Sequence, residues 1–485
     1  MATDHTTLNR RAFSLGAANG IDYAIQFVLP VVLTRFLDAQ AFGEYRLLWL
    51  AVSTVMVIAP LAMPQSLYFF LPRADMPMRR LYINQTLLFL AATGLIGALL
   101  LSGLNPLLPP AMHAFVAESP QVPVFIFLWV ATSLLDLLPT VEENVDWQAR
   151  AIVGLSASRA IMLAATAALT RDIGAVIAAL MVFALLKLAL LLVYISRNHG
   201  LRGPWWRPAR LVEQFRHAAP FGLSGALYGL RSQADQWIAA LMFSTGQFAA
   251  FSVAAVLAPM VQLFRQSVNH VFLPRMSQHQ ARGNIKAMVE LNNAANLGVA
   301  ALVFPLLAFC FAFAEPLISL VYTETYSAGA PVMRVYIIGL AALVVELNSI
   351  MLLFRQGVYA MQVNLAVLVC SLPLSYAGAM VCGLPGAAIG SVATIYLERF
   401  ATLRNISRIS QIAVVHLQEW GRLARVLIAA CICGAVSCWA VPFLGGDVGN
   451  FQRVGAGGAV FLIVYPVALW ICGCVEFLRA LTREK

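Results

Sequence analysis

The sequence predicts an all-α polytopic membrane protein with about fourteen transmembrane helices, arranged as two six-helix lobes plus a C-terminal helix pair. Three observations carry that prediction. Of 485 residues, 61% are hydrophobic and 11% charged, against roughly 25% charged in soluble domains. Apolar runs of about 20 residues, enough to cross the hydrocarbon, recur from end to end. Lys and Arg collect in every second connection between those runs, which is the positive-inside pattern and puts both termini on the cytoplasmic side. Alternation at period two is missing, which excludes a membrane β-barrel.

The first span, 12–37, follows Arg10 and Arg11 and lacks the short apolar core and small-residue cleavage site of a signal peptide. Spans 44–70 and 81–103 flank Arg73, Arg79 and Arg80, whereas the connection 103–121 holds no cation. Spans 122–141, 150–169 and 173–195 complete an N-lobe, 1–196. The longest connection follows, with Arg197, Arg202, Arg207, Arg210 and Arg216 around Pro204-Trp205-Trp206. Arginines beside indoles suit the membrane interface, so 197–216 reads as a cytoplasmic inter-lobe linker. Spans 217–243, 247–273, 291–314, 330–354, 360–382 and 384–402 form a C-lobe, 217–402. Arg275, Arg282 and Lys286 follow the second of these, and Arg399, Arg404, Arg408, Arg422 and Arg425 follow the last. Residues 403–485 hold a basic amphipathic segment, 403–422, predicted to lie flat on the membrane, then spans 423–443 and 453–478.

The halves echo each other. Phe70-Leu71-Pro72-Arg73 ends the second span and Phe272-Leu273-Pro274-Arg275 the eighth. Parallel repeats are a transporter architecture, with the substrate site near mid-membrane.

The net charge of +10 is assigned to anionic membrane lipid rather than nucleic acid, because most cations flank spans. Six lie inside spans: Arg46, Arg159, Lys187, Arg231, Arg265 and Arg334. None of the eight cysteines sits in a C-x-x-C or in a Cys/His cluster of zinc spacing, so they read as small buried hydrophobes. No Walker motif, D-x-D, H-E-x-x-H or G-x-S-x-G occurs. No connection is long enough for a catalytic domain. The expectation is therefore a non-enzyme with no metal and no cofactor.

Ionisable groups at mid-bilayer cost about 2.5–3.5 kcal/mol on insertion scales and so face a partner or water. Asn19, Asp22 and Gln26 share one face of span 1; Ser224, Tyr228, Arg231 and Asp235 share one face of span 7. Ser133, Asp136 and Thr140 repeat the spacing in span 4, and Gln262, Arg265 and Gln266 crowd one face of span 8. A hydrated central cavity is one reading of these stripes. The other is structural: Arg231 and Asp235 pair at i,i+4, and Lys187 and Arg334 snorkel to the span edges. Glu346 with Ser349 in span 10 is open to either reading.

Leu33-Thr34-Arg35-Phe36-Leu37, Phe42-Gly43-Glu44-Tyr45, Ala219-Pro220-Phe221-Gly222 through Asp235, and Phe272 through Ser277 followed by Tyr322, Tyr326 and Ala330 occur in this order. With them the chain resembles the polysaccharide (O-antigen or exopolysaccharide) flippases of the multidrug/oligosaccharidyl-lipid/polysaccharide exporter superfamily. The resemblance implies alternating access and movement of an undecaprenyl-pyrophosphate-linked oligosaccharide across the bacterial inner membrane. It implies a cationic cavity in which Arg231, Arg46, Arg159 and Arg265 receive pyrophosphate, lined by Tyr228, Asn19 and Gln26. Asp22, Asp235 and Glu346 become candidates for ion coupling. A polysaccharide polymerase and export machinery are the partners it suggests. A cation-coupled multidrug antiporter of the same fold and a membrane-embedded polymerase are the rival readings.

Overall fold

A computed structural model describes residues 2–106, 108–200, 204–444 and 449–471. Arg202, Cys472, Cys474 and the end of the fourteenth predicted span lie outside them. The described residues contain helices and no strand. In order these are α1 Ala2–Leu33, α2 Ala39–Ile58, α3 Met63–Phe70, α4 Met76–Leu100, α5 Pro110–Glu118, α6 Val122–Thr132, α7 Leu138–Val141, α8 Val145–Thr170, α9 Ile173–His199 and α10 Pro208–Met242. They continue with α11 Thr245–Ala254, α12 Leu257–Ala281, α13 Ile285–Ala312, α14 Ala314–Tyr322, α15 Ala330–Leu343, α16 Asn348–Leu353, α17 Gly357–Ser410, α18 Val414–Leu417, α19 Trp420–Ala440 and α20 Asn450–Ile471.

Among the described residues, 12 helical segments are long and apolar enough to cross a membrane. One of them, α17, is two helices joined across a kink at Gly383, whose φ of 64° and ψ of −141° are open only to glycine. Its arms match the predicted spans 360–382 and 384–402. α10 has the length, at 35 residues, but carries Arg210, Glu213, Arg216, Arg231 and Asp235. Helix starts follow the sequence closely. Asp38 caps α2 by accepting from the Ala41 N–H at 2.7 Å, Asp75 caps α4 from Met78, and Asp172 caps α9 from Ala175 at 2.8 Å.

The chain divides into two compact units, Met1–Gln233 with Phe243–Ala249, and Ala234–Met242 with Ala250–Lys485. In the first, α1 packs along α8, α4 along α6, and α9 against both α6 and α8. The segment before α10 is fastened to α4, where Arg80 donates to the His199 carbonyl (2.7 Å), Asn84 to that of Pro204 (3.1 Å) and Gln85 to that of Arg207 (2.7 Å). Trp205 and Trp206 stay half exposed. In the second unit α13 packs on α12, α15 and α19, while α15 lies along α17.

Three expectations need correction. Residues 403–422 do not form a surface helix. α17 runs on to Ser410, α18 is a single turn, and Leu417 and Gln418 are buried. Asn296 holds Gln418 at 3.0 Å, which turns the segment inward. Arg399 is not in a cytoplasmic connection; it lies buried in α17 and donates to the Val345 carbonyl at 3.1 Å. Lys187 does not snorkel. It is 5% exposed, with Nζ 2.8 Å from Asp136.

Two predicted spans are broken at mid-length, each beside an acid. Between α6 and α7, Thr132 and Ser133 hydroxyls donate back to the carbonyls of Leu128 (2.8 Å) and Val130 (2.7 Å), and Pro139 supplies no N–H. The chain tightens there into a 3₁₀ turn, Ser133–Asp136. Between α15 and α16 the helix opens at Val345–Leu347. Side chains replace the lost ladder: Glu346 N–H donates to Asn296 (2.9 Å), Asn292 donates to the Glu346 carbonyl (3.2 Å), and Arg399 serves Val345.

Candidate functional site

Five spans of the first unit bring polar and aromatic side chains to the same mid-span level. α1 supplies Asp22 and Gln26, α2 Trp49, α6 Trp129, α8 Ser156 and Arg159, and α9 Lys187. The Asp22 carboxylate accepts from Gln26 Nε2 at 2.7 Å and from the Ser156 hydroxyl. Arg159 Nη2 stands 3.7 Å from Asp22 Oδ1, within ion-pair reach and outside hydrogen-bond reach. The guanidinium lies 5.8 Å from the Trp49 ring centre and 5.9 Å from that of Trp129. Those two indoles meet edge to face at 5.1 Å. Lys187 Nζ sits 5.0 Å above Trp129 and is paired with Asp136.

Arg159 has five N–H donors and, among the described residues, gives none of them to a hydrogen bond. Its Nε is buried, as is the unpartnered Trp49 Nε1. Cation–π contacts and one loose ion pair hold it, which leaves the fork that would grip an anion unfilled.

The α1 stripe remains accessible, with Asn19 and Gln26 exposed and the Asp22 side chain 26% exposed. On α10, Tyr228 is exposed and Arg231 lies 5.4 Å above its ring. Arg46 is half-buried on α2, next to the buried Tyr45.

The second unit holds two separate acid sites. Glu346 is paired with Arg265, and its other oxygen accepts from the Asn348 N–H at 2.9 Å. Nearby, the Ser349 hydroxyl donates to Asn269 at 2.6 Å. Asp235 is 3% exposed and accepts from the Tyr336 hydroxyl at 2.8 Å. Tyr336 is steadied edge-on by Phe251, 5.8 Å away. Arg334 donates to the Phe311 carbonyl at 3.2 Å.

Of the sequence-derived site residues, Asp22, Gln26 and Arg159 come together, as do Tyr228 with Arg231, and Arg265 with Glu346. Trp49, Trp129, Tyr336, Asn292, Asn296 and Asn269 were not singled out in the sequence. The i,i+4 repeat of Asn292 and Asn296 inside an apolar span is the one signal that could have found a pair of them. No group of three or more His, Cys, Asp or Glu suited to a metal occurs among the described residues.

A family model described as "Polysaccharide biosynthesis protein" matches residues 8–280. The chain belongs to this family. No curated protein matches the sequence. Among solved structures, the lipid II flippase MurJ in an inward closed conformation aligns with a TM-score of 0.71 at 13% identity, covering 97% of this chain and 99% of that one. The Vibrio cholerae MATE transporter VcmN aligns at 0.53 and 15% identity, covering 85% and 100%. An inward-facing multidrug resistance MATE transporter of the MOP superfamily aligns at 0.56 and 12% identity, covering 81% and 96%. At these identities the likeness is one of fold. This member of the polysaccharide biosynthesis family is a multi-pass membrane protein with the fold of MurJ and the MATE transporters.

Proposed function

We propose that the protein flips an undecaprenyl-pyrophosphate-linked oligosaccharide across the bacterial inner membrane by alternating access, with no catalytic chemistry of its own. The observation that carries the reading is Arg159, an intramembrane guanidinium whose hydrogen-bond donors stand unused. A planar fork of that kind grips phosphate oxygens bidentately. The family match, the exposed polar stripes and the excess of intraspan cations support the same reading. The O-antigen or exopolysaccharide class of the head, and a polymerase that receives it, belong to the proposal.

The test is a flipping assay on the purified protein in liposomes, with a pyrophosphate-linked polyprenyl oligosaccharide. Charge-assisted hydrogen bonds contribute about 1.5–3 kcal/mol, so Arg159→Gln is expected to slow transport by about 10- to 100-fold. Arg334→Gln, which removes a cation bonded to a span-edge carbonyl, leaves the rate unchanged. Equal rates for Arg159→Gln and the wild type would discard the assignment. A partly exposed carboxylate on α1, Asp22, favours the rival reading of a cation-coupled antiporter. Gradient-driven export of a lipophilic cation, with no movement of the pyrophosphate lipid, would establish that reading instead.

A further inference from the structure

Resting on the proposed transport of a pyrophosphate head, we infer that Asp22 is a resident counter-ion for Arg159, which the arriving anion displaces. It acts as a positioning residue. The geometry is that of a pair held apart. Asp22 takes one hydrogen bond from Gln26, four residues on in α1, and one from Ser156, three residues before Arg159 on α8. Both donors are neutral, and neither is Arg159. The guanidinium stays 3.7 Å away, close enough to neutralise the acid and too far to spend a donor on it. Its place is fixed instead by Trp49 and Trp129, whose ring centres lie 5.8 and 5.9 Å from the guanidinium carbon and which take none of its N–H donors.

An arrangement of this kind exchanges partners without orphaning either charge. When a phosphate oxygen closes on Arg159, Asp22 keeps its two neutral donors, so no buried acceptor loses its bonds. The carboxylate then lies beside a second anion and repels it. Binding is weakened and release is hastened by the same charge.

The experiment uses the full chain in nanodiscs, with farnesyl pyrophosphate as the probe and tryptophan fluorescence as the readout, since Trp49 and Trp129 flank the guanidinium. Asp22→Asn is expected to bind the probe about two- to fivefold more tightly, the range of a partly exposed charge pair. The same variant is expected to flip the lipid substrate more slowly. Ser156→Ala combined with Gln26→Leu frees Asp22 to close on Arg159 and is expected to weaken binding. That second variant keeps the test decisive if Asp22→Asn folds poorly. Trp49→Phe with Trp129→Phe removes the signal, which locates it. Wild-type binding that is lost in Arg159→Gln but unchanged or weakened in Asp22→Asn overturns the inference and leaves the flippase reading standing. Failure of the wild type to bind farnesyl pyrophosphate, with tetraphenylphosphonium binding that Asp22→Asn weakens, overturns both.

Discussion

Arg265→Met lowers the stability of the second unit by about 3–5 kcal/mol, because it strands Glu346 as an uncompensated buried charge. The two side chains are 9% and 13% exposed, so neither can turn to solvent for relief. Glu346→Ala has a similar cost, since Arg265 Nε is already buried without a partner. The double variant Arg265→Met, Glu346→Leu recovers most of the loss, as buried pairs replaced by apolar residues of like volume are often neutral. It keeps the bonds of Asn292, Asn296 and Arg399, which go to main-chain atoms, and gives up only the bond from the Asn348 N–H to the Glu346 carboxylate. Denaturant or thermal unfolding of the four proteins in detergent gives the coupling directly. Single variants that each cost under about 1 kcal/mol would mean the pair is solvated, as an exposed pair is. Arg422 and Glu419, 44% and 40% exposed, supply that comparison, and cutting this pair is expected to change stability by no more than about 0.5 kcal/mol.

Gly386→Val abolishes accumulation of folded protein. The two arms of α17 turn back on each other at Gly383 and meet backbone to backbone. A Cβ at Gly386 runs into the carbonyl of Gly378, and one at Gly390 into the backbone of Ser375. No rotamer change relieves such a clash, so the cost exceeds the 1–3 kcal/mol or so of ordinary core overpacking. Gly383→Ala tests a different cost. Nothing lies near its Cβ, and only the backbone is strained, since φ 64° with ψ −141° suits glycine alone, for about 1–3 kcal/mol. Gly357→Ala, with open space and an ordinary backbone, is neutral or slightly stabilising. Size-exclusion profiles and melting temperatures of the three variants rank them. Wild-type behaviour of Gly386→Val would mean the arms are farther apart than they stand here.

The order of spans was legible because length, hydropathy and the Lys/Arg alternation act locally, within one helix and its flanks. The kink at Gly383 fell between two predicted spans for the same reason. Partnerships were not legible. Helical phase placed Asn19, Asp22 and Gln26 on one face, but Ser156 lies 134 residues from Asp22, and periodicity within α1 carries no information about α8. Lys187 looked like a snorkelling residue because its own span is apolar; its acid comes from a break 51 residues earlier. Those breaks are themselves invisible to a hydropathy window, since apolar residues continue through them. Thr132, Ser133 and Pro139 in sequence carry the only local sign of the first. The second has no proline at all and is maintained by asparagines of another helix.

The two broken spans pose different problems to a chain that enters the membrane from its N-terminus. Arg265 is synthesised 81 residues ahead of Glu346 and waits for it. Asp136 emerges 51 residues ahead of Lys187, when its cation does not yet exist. Until α9 arrives, the α6–α7 segment carries a lone carboxylate worth about 2.5–3.5 kcal/mol against partition into lipid. The ribosome-bound nascent chain must therefore keep that segment in the translocon and deliver it together with α9. In the second unit the lone charge falls instead on α12, where Arg265 bears a penalty of the same size until the span with Glu346 arrives.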